Sequence, residues 1–101
     1  MVVQNPLRLT LFTRASCSLC VTAHEVISRV AKRRTFRYEE LNVMAPDQRR
    51  WRILYQNETP VLHIDPHTVR KTTPAARKLM HRFTEDELEK VMDEVEAANR
   101  A

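Results

Sequence analysis

The sequence contains no glycine. A glycine-dependent phosphate-binding loop is therefore excluded, and the turns must be built from asparagine, aspartate, proline and histidine. Cysteine is also scarce, and the two cysteines, Cys17 and Cys20, are three positions apart. A disulfide between residues this close does not cross-link distant segments of the chain, as the disulfides of small secreted folds do. The pair therefore indicates a redox or metal-binding role in a reducing compartment.

Long apolar stretches are missing as well. No run approaches the roughly 20 residues that span a bilayer, and no charged segment precedes the first apolar stretch, which alternates as a strand does. We therefore expect no membrane association and no secretory signal, and we place the protein in the cytoplasm or the mitochondrion. The chain has 101 residues, of which 43% are hydrophobic and 30% charged. This composition predicts one compact domain over residues 1–101, which we expect to be a monomer.

The charge is unevenly distributed along the chain. Residues 1–83 carry 15 basic and six acidic side chains, whereas residues 84–101 carry two basic and seven acidic ones. The asymmetry predicts an acidic last helix beside a basic body. A basic surface also attracts anions such as glutathione, a thiol peptide with two carboxylates, or nucleic acid. A solvated arginine-rich surface is the more common case, and we do not expect nucleic-acid binding.

The hydrophobic pattern predicts the element order β-α-β-α-β-β-α. Strands are expected at residues 7–12, 35–41, 61–64 and 78–83, and helices at 17–34, at 46–55 and from 84 onward. The first three elements form a right-handed parallel unit, and the later hairpin adds an antiparallel half. The order predicts an α/β, thioredoxin-like fold: a four-stranded mixed sheet with helices on both faces. The first and third strands are expected to be central and antiparallel to each other, with the fourth at an edge.

Local signals place the helix ends. Ser16 is a candidate N-cap for the first helix, and Pro46 fits the first position of the second. Residues 84–87, TEDE, form a capping box ahead of the last helix. In the second helix, Trp51, Leu54 and Tyr55 are expected to face the core.

Cys17 and Cys20 directly follow the first strand and open the first helix, a context in which C-x-x-C is typical of redox proteins. Unpaired backbone N–H groups and the dipole at a helix N-terminus stabilise a thiolate, and Arg14 adds positive charge. Cys17 is therefore the expected nucleophile. Cys20, one turn further, is the expected buried resolving thiol.

Zinc binding is an alternative for the same segment. Cys17, Cys20 and His24 offer three ligands, but a tetrahedral structural site needs a fourth, and the other histidines are isolated in the sequence. An inert pair of packed thiols is a second alternative.

Thr59–Pro60 opens the third strand, where proline is tolerated only at the start. We expect this peptide bond to be cis and to lie close to Cys17. Such a loop presents free backbone groups to an extended thiol peptide. A plain turn proline is the alternative interpretation.

The stretches LTLFTRASCSLC, ETPVLHID and KLMHRFTEDELEKVM resemble the glutaredoxin-like family, and its small eukaryotic members in particular, over roughly residues 7–96. The resemblance implies a thiol–disulfide oxidoreductase that acts on protein or small-molecule disulfides. Cys17 would be the nucleophile and Cys20 the resolving thiol. No bound cofactor or metal is implied, and glutathione is the candidate reductant.

The resemblance also implies substrate-binding residues. Arg14 corresponds to the basic residue ahead of the site, and Thr59 and Pro60 to the peptide-binding loop. Glu85 takes the place of the acidic residue that holds the amino group of glutathione.

Two departures from the family pattern concern glutathione. Ser18-Leu19 stands between the cysteines where Pro-Tyr is usual, and Arg82-Phe83 stands where a Gly-Gly pair lets the tripeptide backbone approach. These side chains are expected to fill the glutathione space, which predicts weak or absent glutathione-coupled activity. A non-catalytic binding scaffold is therefore an alternative function. An iron–sulfur carrier is a less favoured one, because that role usually needs one active thiol and an accessible glutathione site.

Overall fold

The computed structural model describes residues 6–100, which form a four-stranded sheet and three helices. The elements in chain order are β1 (Leu7–Thr13), α1 (Ser18–Ala31), β2 (Phe36–Asn42), α2 (Arg49–Tyr55), β3 (Val61–Asp65), β4 (Arg77–Met80) and α3 (Glu85–Arg100). The predicted order β-α-β-α-β-β-α is confirmed. Residues 1–5, on which the expectation about a secretory signal partly depends, lie outside the described residues, as does residue 101.

The sheet has the strand order β2-β1-β3-β4. β1 runs parallel to β2, with Leu9 opposite Tyr38, and antiparallel to β3, with Leu11 opposite Leu62. β3 pairs antiparallel with β4 at the edge. The first and third strands are thus central, as expected. None of the helices in residues 6–100 has the length and apolar content needed to cross a membrane.

One face of the sheet carries the larger core, since alternate strand residues point to the same side. Helices α1 and α3 cover this face. Its buried sheet residues are Leu7, Leu9, Leu11, Leu62 and Ile64. The helices add Ala23, Val26, Ile27, Val30, Leu88, Val91, Met92 and Val95. The helical spacing of these positions explains why both segments form amphipathic helices.

The opposite face is covered by α2 and carries a smaller cluster of Phe12, Val43, Tyr55 and Val61. Trp51 packs against this cluster, and its ring stacks on Tyr55 with centroids 5.7 Å apart. The expectation of helices on both faces is therefore confirmed.

The helix termini differ in detail from the sequence prediction. The N-cap of α1 is Cys17 and not Ser16, because Ser16 adopts a left-handed conformation with φ of 57°. The capping box of α3 is confirmed, since Thr84 and Glu87 exchange side-chain-to-backbone hydrogen bonds of 2.8 and 3.1 Å. Helix α2 begins at Arg49, three residues later than predicted, because residues 43–47 form turns.

One side chain and one strand end differ from the prediction. Leu54 is 48% exposed, because the short helix α2 buries only the side that carries Trp51 and Tyr55. β4 ends at Met80, since the next residue, His81, is left-handed with φ of 65°. The chain turns there, and Phe83 enters the larger core instead of continuing the strand.

An ion-pair network joins α1 to α3. Arg29, Arg33 and Arg34 near the end of α1 pair with carboxylates of α3. Those carboxylates are Glu85, Glu89, Asp93 and Glu96. The charge asymmetry of the sequence therefore reflects complementarity within the molecule.

Candidate functional site

The two cysteines lie where β1 passes into α1. Their sulfur atoms are bonded to each other, and their Cα atoms are 5.2 Å apart. The backbone N–H of Cys20 donates a hydrogen bond of 3.2 Å to Cys17 Sγ. Cys17 is partly exposed, whereas Cys20 is only 6% exposed. The helix N-terminus therefore directs a donor to the sulfur that solvent reaches more readily.

The Thr59–Pro60 loop lies beside Cys17. The Thr59–Pro60 peptide bond is cis, as expected. The carbonyl oxygen and the hydroxyl oxygen of Thr59 are each 3.9 Å from Cys17 Sγ. A substrate sulfur that approaches Cys17 would therefore meet this loop.

Arg14 also lies near the disulfide. Its Nη1 donates a 2.7 Å hydrogen bond to the carbonyl of Gln56, just after α2. Arg14 lines the same groove as Cys17 and Cys20. The side chain thus ties the turn before the cysteines to the end of α2.

Glu85 is engaged within the molecule. Its carboxylate accepts hydrogen bonds from Arg29 Nε at 2.6 Å and from Arg33 Nη2 at 2.8 Å. These two guanidinium groups, Arg29 first, lower the pKa of Glu85. Glu85 is also not among the residues that line the groove at the cysteines.

Arg82 and Phe83 stand where the family has a Gly-Gly pair, and their side chains are expected to fill the glutathione space. The structure agrees with this expectation only in part. Phe83 is 8% exposed and packs in the larger core, so its ring does not fill a space outside the sheet. Arg82 is exposed.

A groove of about 690 Å³ extends from the disulfide along α1 toward β2. Its polar lining includes Arg14, His24 and Glu40, and Val21 is exposed on its wall. His24 Nε2 lies 3.4 Å from a Glu40 carboxylate oxygen. The sequence draws attention to His24 through its spacing from Cys20, but Glu40 joins the groove only through the parallel pairing of β1 and β2.

No group of three or more histidine, cysteine, aspartate or glutamate side chains within residues 6–100 is arranged to hold a metal ion.

A buried histidine, His63, lies on β3, three residues after Pro60. Its Nε2 is 2.8 Å from the Tyr55 hydroxyl, and its Nδ1 is 2.7 Å from Thr72 Oγ1. Burial, and to a lesser extent the nearby Lys78 charge, lower the pKa of His63 to about 4. The imidazole is therefore neutral at neutral pH. The contact with Thr72 attaches the long loop between β3 and β4, residues 66–76, to the sheet.

Comparison with known proteins decides the family. The family model "Glutaredoxin-like domain (DUF836)" matches residues 8–93. The chain belongs to this family. The resemblance to the glutaredoxin-like family that the sequence motifs indicate is thereby confirmed.

Solved structures of other proteins show the same fold. Target protein XcR50 from X. campestris is 24% identical, with 85% of this chain and 96% of that chain covered and a TM-score of 0.60. Protein Ne2328 from Nitrosomonas europaea is 20% identical, with 90% and 98% covered and a TM-score of 0.63. Oxidised thioredoxin O2 from Arabidopsis thaliana is 16% identical, with 89% and 75% covered and a TM-score of 0.64. The fold, the family and the paired cysteines together support a redox-type role.

Proposed function

We propose that this glutaredoxin-like protein is a thiol–disulfide oxidoreductase in which Cys17 attacks and Cys20 resolves. The observation that carries the proposal is the hydrogen bond from the Cys20 backbone N–H to Cys17 Sγ, combined with the different exposure of the two thiols. A donor aimed at one sulfur favours its thiolate, and the thiolate is the attacking species.

The reaction begins from the reduced protein. The Cys17 thiolate attacks one sulfur of a substrate disulfide, and the other substrate sulfur leaves with the electron pair of the broken bond. The Cys20 thiol then loses its proton and attacks Cys17 Sγ. The second substrate sulfur leaves as a thiolate, the Cys17–Cys20 disulfide forms, and the substrate has gained two electrons.

Substrate contacts are proposed at Thr59, Pro60 and Arg14. Thr59 lies close enough to Cys17 for its backbone carbonyl to meet an extended thiol peptide. The position of Arg14 on the groove supports a role in attracting anionic substrate groups.

We propose that the protein binds and reduces protein disulfides more readily than it binds glutathione. Glu85 would have to leave Arg29 and Arg33 before its carboxylate held the amino group of glutathione. Glutathione stays a candidate reductant in this proposal, although a poor one.

Thiol-specific alkylation tests the assignment of roles. The reduced protein is treated with iodoacetamide over a range of pH, and each cysteine is read by mass spectrometry. Cys17 should be alkylated faster than Cys20 at neutral pH. Cys17→Ser should abolish mixed-disulfide formation, whereas Cys20→Ser should trap it. Equal labelling rates for both thiols would favour the scaffold alternative.

A glutathione-coupled assay tests the substrate preference. We expect weak or absent turnover, which Arg82→Ala should raise if the exposed guanidinium obstructs glutathione. Arg70→Ala, at an exposed position in the long loop, is the matched control. Replacing Phe83 as well is not a clean test, because its removal would leave a cavity in the core. Robust turnover of the unmodified protein with glutathione would contradict the proposed preference.

A further inference from the structure

The resolving step requires deprotonation of the buried Cys20 thiol. This thiol must lose its proton before its sulfur attacks, but burial disfavours a charged thiolate. The helix N-terminus does not relieve this cost, since the N–H of Cys20 donates to the sulfur of Cys17. Within residues 6–100, no hydrogen bond reaches Cys20 Sγ. A nearby proton acceptor would therefore accelerate the step.

The groove beside the disulfide contains one side chain suited to this task. His24 follows Cys20 by four residues on α1, so both lie on the same side of the helix. Both also line the same groove. Imidazole is the side chain that accepts and releases a proton most readily near neutral pH.

Glu40 supplies a partner for His24. Its carboxylate lies 3.4 Å from His24 Nε2 and provides a counter-charge for an imidazolium ion. The other charged group on the groove is Arg14. Tyr38 on β2 also faces His24, with ring centroids 6.4 Å apart. Burial, followed by the Glu40 charge, raises the pKa of Tyr38, so its phenol stays neutral and does not compete as a base.

We propose that His24 accepts the Cys20 proton during the resolving step and that Glu40 positions and stabilises the resulting imidazolium. This inference rests on the proposed dithiol function. The Cys20 S–H bond breaks and its proton moves to the imidazole. The Cys20 thiolate then attacks Cys17 Sγ, the Cys17–substrate disulfide breaks, and the substrate leaves as a thiolate. The proton on His24 is afterwards available to the departing thiolate or to solvent.

The experiment separates the two steps with a chromogenic disulfide. The reduced full chain is mixed with equimolar dithiobis(nitrobenzoate) in a stopped-flow instrument. The first thiolate released reports attack by Cys17, and the second reports resolution by Cys20. Cys20→Ser should show the first release only, which assigns the phases.

His24→Gln should leave the first phase unchanged and slow the second about tenfold or more near neutral pH. The pH dependence of the second phase should also differ from that of the unmodified protein. Glu40→Gln should slow the second phase less than His24→Gln does, because it removes the counter-charge beside the imidazole but not the imidazole itself. Glu25→Gln, at an exposed position on the same helix, is the matched control and should change neither phase.

Two outcomes would overturn the inference while the dithiol mechanism stands. The first is a second phase in His24→Gln with the rate and pH profile of the unmodified protein. The second is an equal slowing of both phases, which would place the effect of His24 on Cys17. If the unmodified protein releases only one thiolate, the proposed function itself fails.

Discussion

The two faces of the sheet differ in the length of the helices that cover them and in the side chains that they bury. Helices α1 and α3, 14 and 16 residues long, cover one face with aliphatic side chains. The other face has a helix of seven residues, aromatic rings and the buried His63. On this second face lie Val61 and His63, the β3 residues that closely follow the Thr59–Pro60 loop. We therefore expect the aliphatic face to supply most of the stability and the aromatic face to hold the Thr59–Pro60 loop in place beside Cys17.

The largest effect is expected from Leu62→Ala on the aliphatic face. Leu62 is fully buried at the centre of the sheet, so its truncation should lower the free energy of unfolding by about 3 kcal/mol. Urea unfolding gives this value. The relative alkylation rates of Cys17 and Cys20 in the folded variant should not change. A large change in those rates would show that the two faces are not separable in this way.

A pH-dependent effect is expected on the aromatic face. The folded-state pKa of His63 is about 4, below the ordinary value of roughly 6.5 in an unfolded chain. The unfolded chain therefore binds the proton more tightly. Stability from this group is fully present above about pH 6.5 and is lost as the pH falls toward 4. The loss amounts to at most about 3 kcal/mol.

Urea unfolding at several pH values between 7 and 4 measures this loss. His63→Gln should be less stable at neutral pH and should show a flatter decline with pH. His67→Gln, at an exposed position, should decline as the unmodified protein does. Identical declines in all three proteins would show that His63 does not contribute.

The sequence predicted the fold well because its signals are local and periodic. The alternation in β1, the helical spacing in α1 and the capping box at Thr84 each specify an element without help from distant residues. The position of Cys17 at a helix N-terminus followed from the same signals. The proximity of Thr59 to Cys17 was expected from motif context, and the contact distances bear it out.

What the sequence could not predict depends on tertiary pairing. Glu40 faces His24 only because β2 pairs in parallel with β1, and Glu85 contacts Arg29 only because α3 packs against α1. Likewise, the local sequence pattern predicts that Phe83 continues the last strand, but its side chain enters the core after the turn at His81. Periodicity within one segment does not contain this information.

A smaller effect is expected from the ion pairs that join the helices of the aliphatic face. Arg34 pairs with Asp93 at 2.8 Å and with Glu96 at 3.1 Å. Arg34→Met should lower the free energy of unfolding by about 1 kcal/mol at low salt. At about 1 M salt the difference should shrink, since screening then acts over roughly 3 Å. Arg37→Met, at an exposed position on β2, is the control, and a salt-independent loss in Arg34→Met would point to packing instead.

The smallest effect concerns the turn that leads into the cysteines. In a chain without glycine, Ser16 has to adopt a left-handed conformation, with φ of 57°. For a residue with a Cβ atom this costs about 1 kcal/mol, whereas glycine tolerates it but loses more backbone entropy on folding. Ser16→Gly should therefore raise the free energy of unfolding only slightly, by about 0.5 kcal/mol. Ser28→Gly, in the middle of α1, should lower it by about 0.5 kcal/mol, because glycine has a lower helix propensity than serine and no conformational advantage in a helix. Paired urea unfolding curves resolve this difference in sign. If both variants are destabilised equally, Ser16 carries no strain and the turn before Cys17 is held by other contacts.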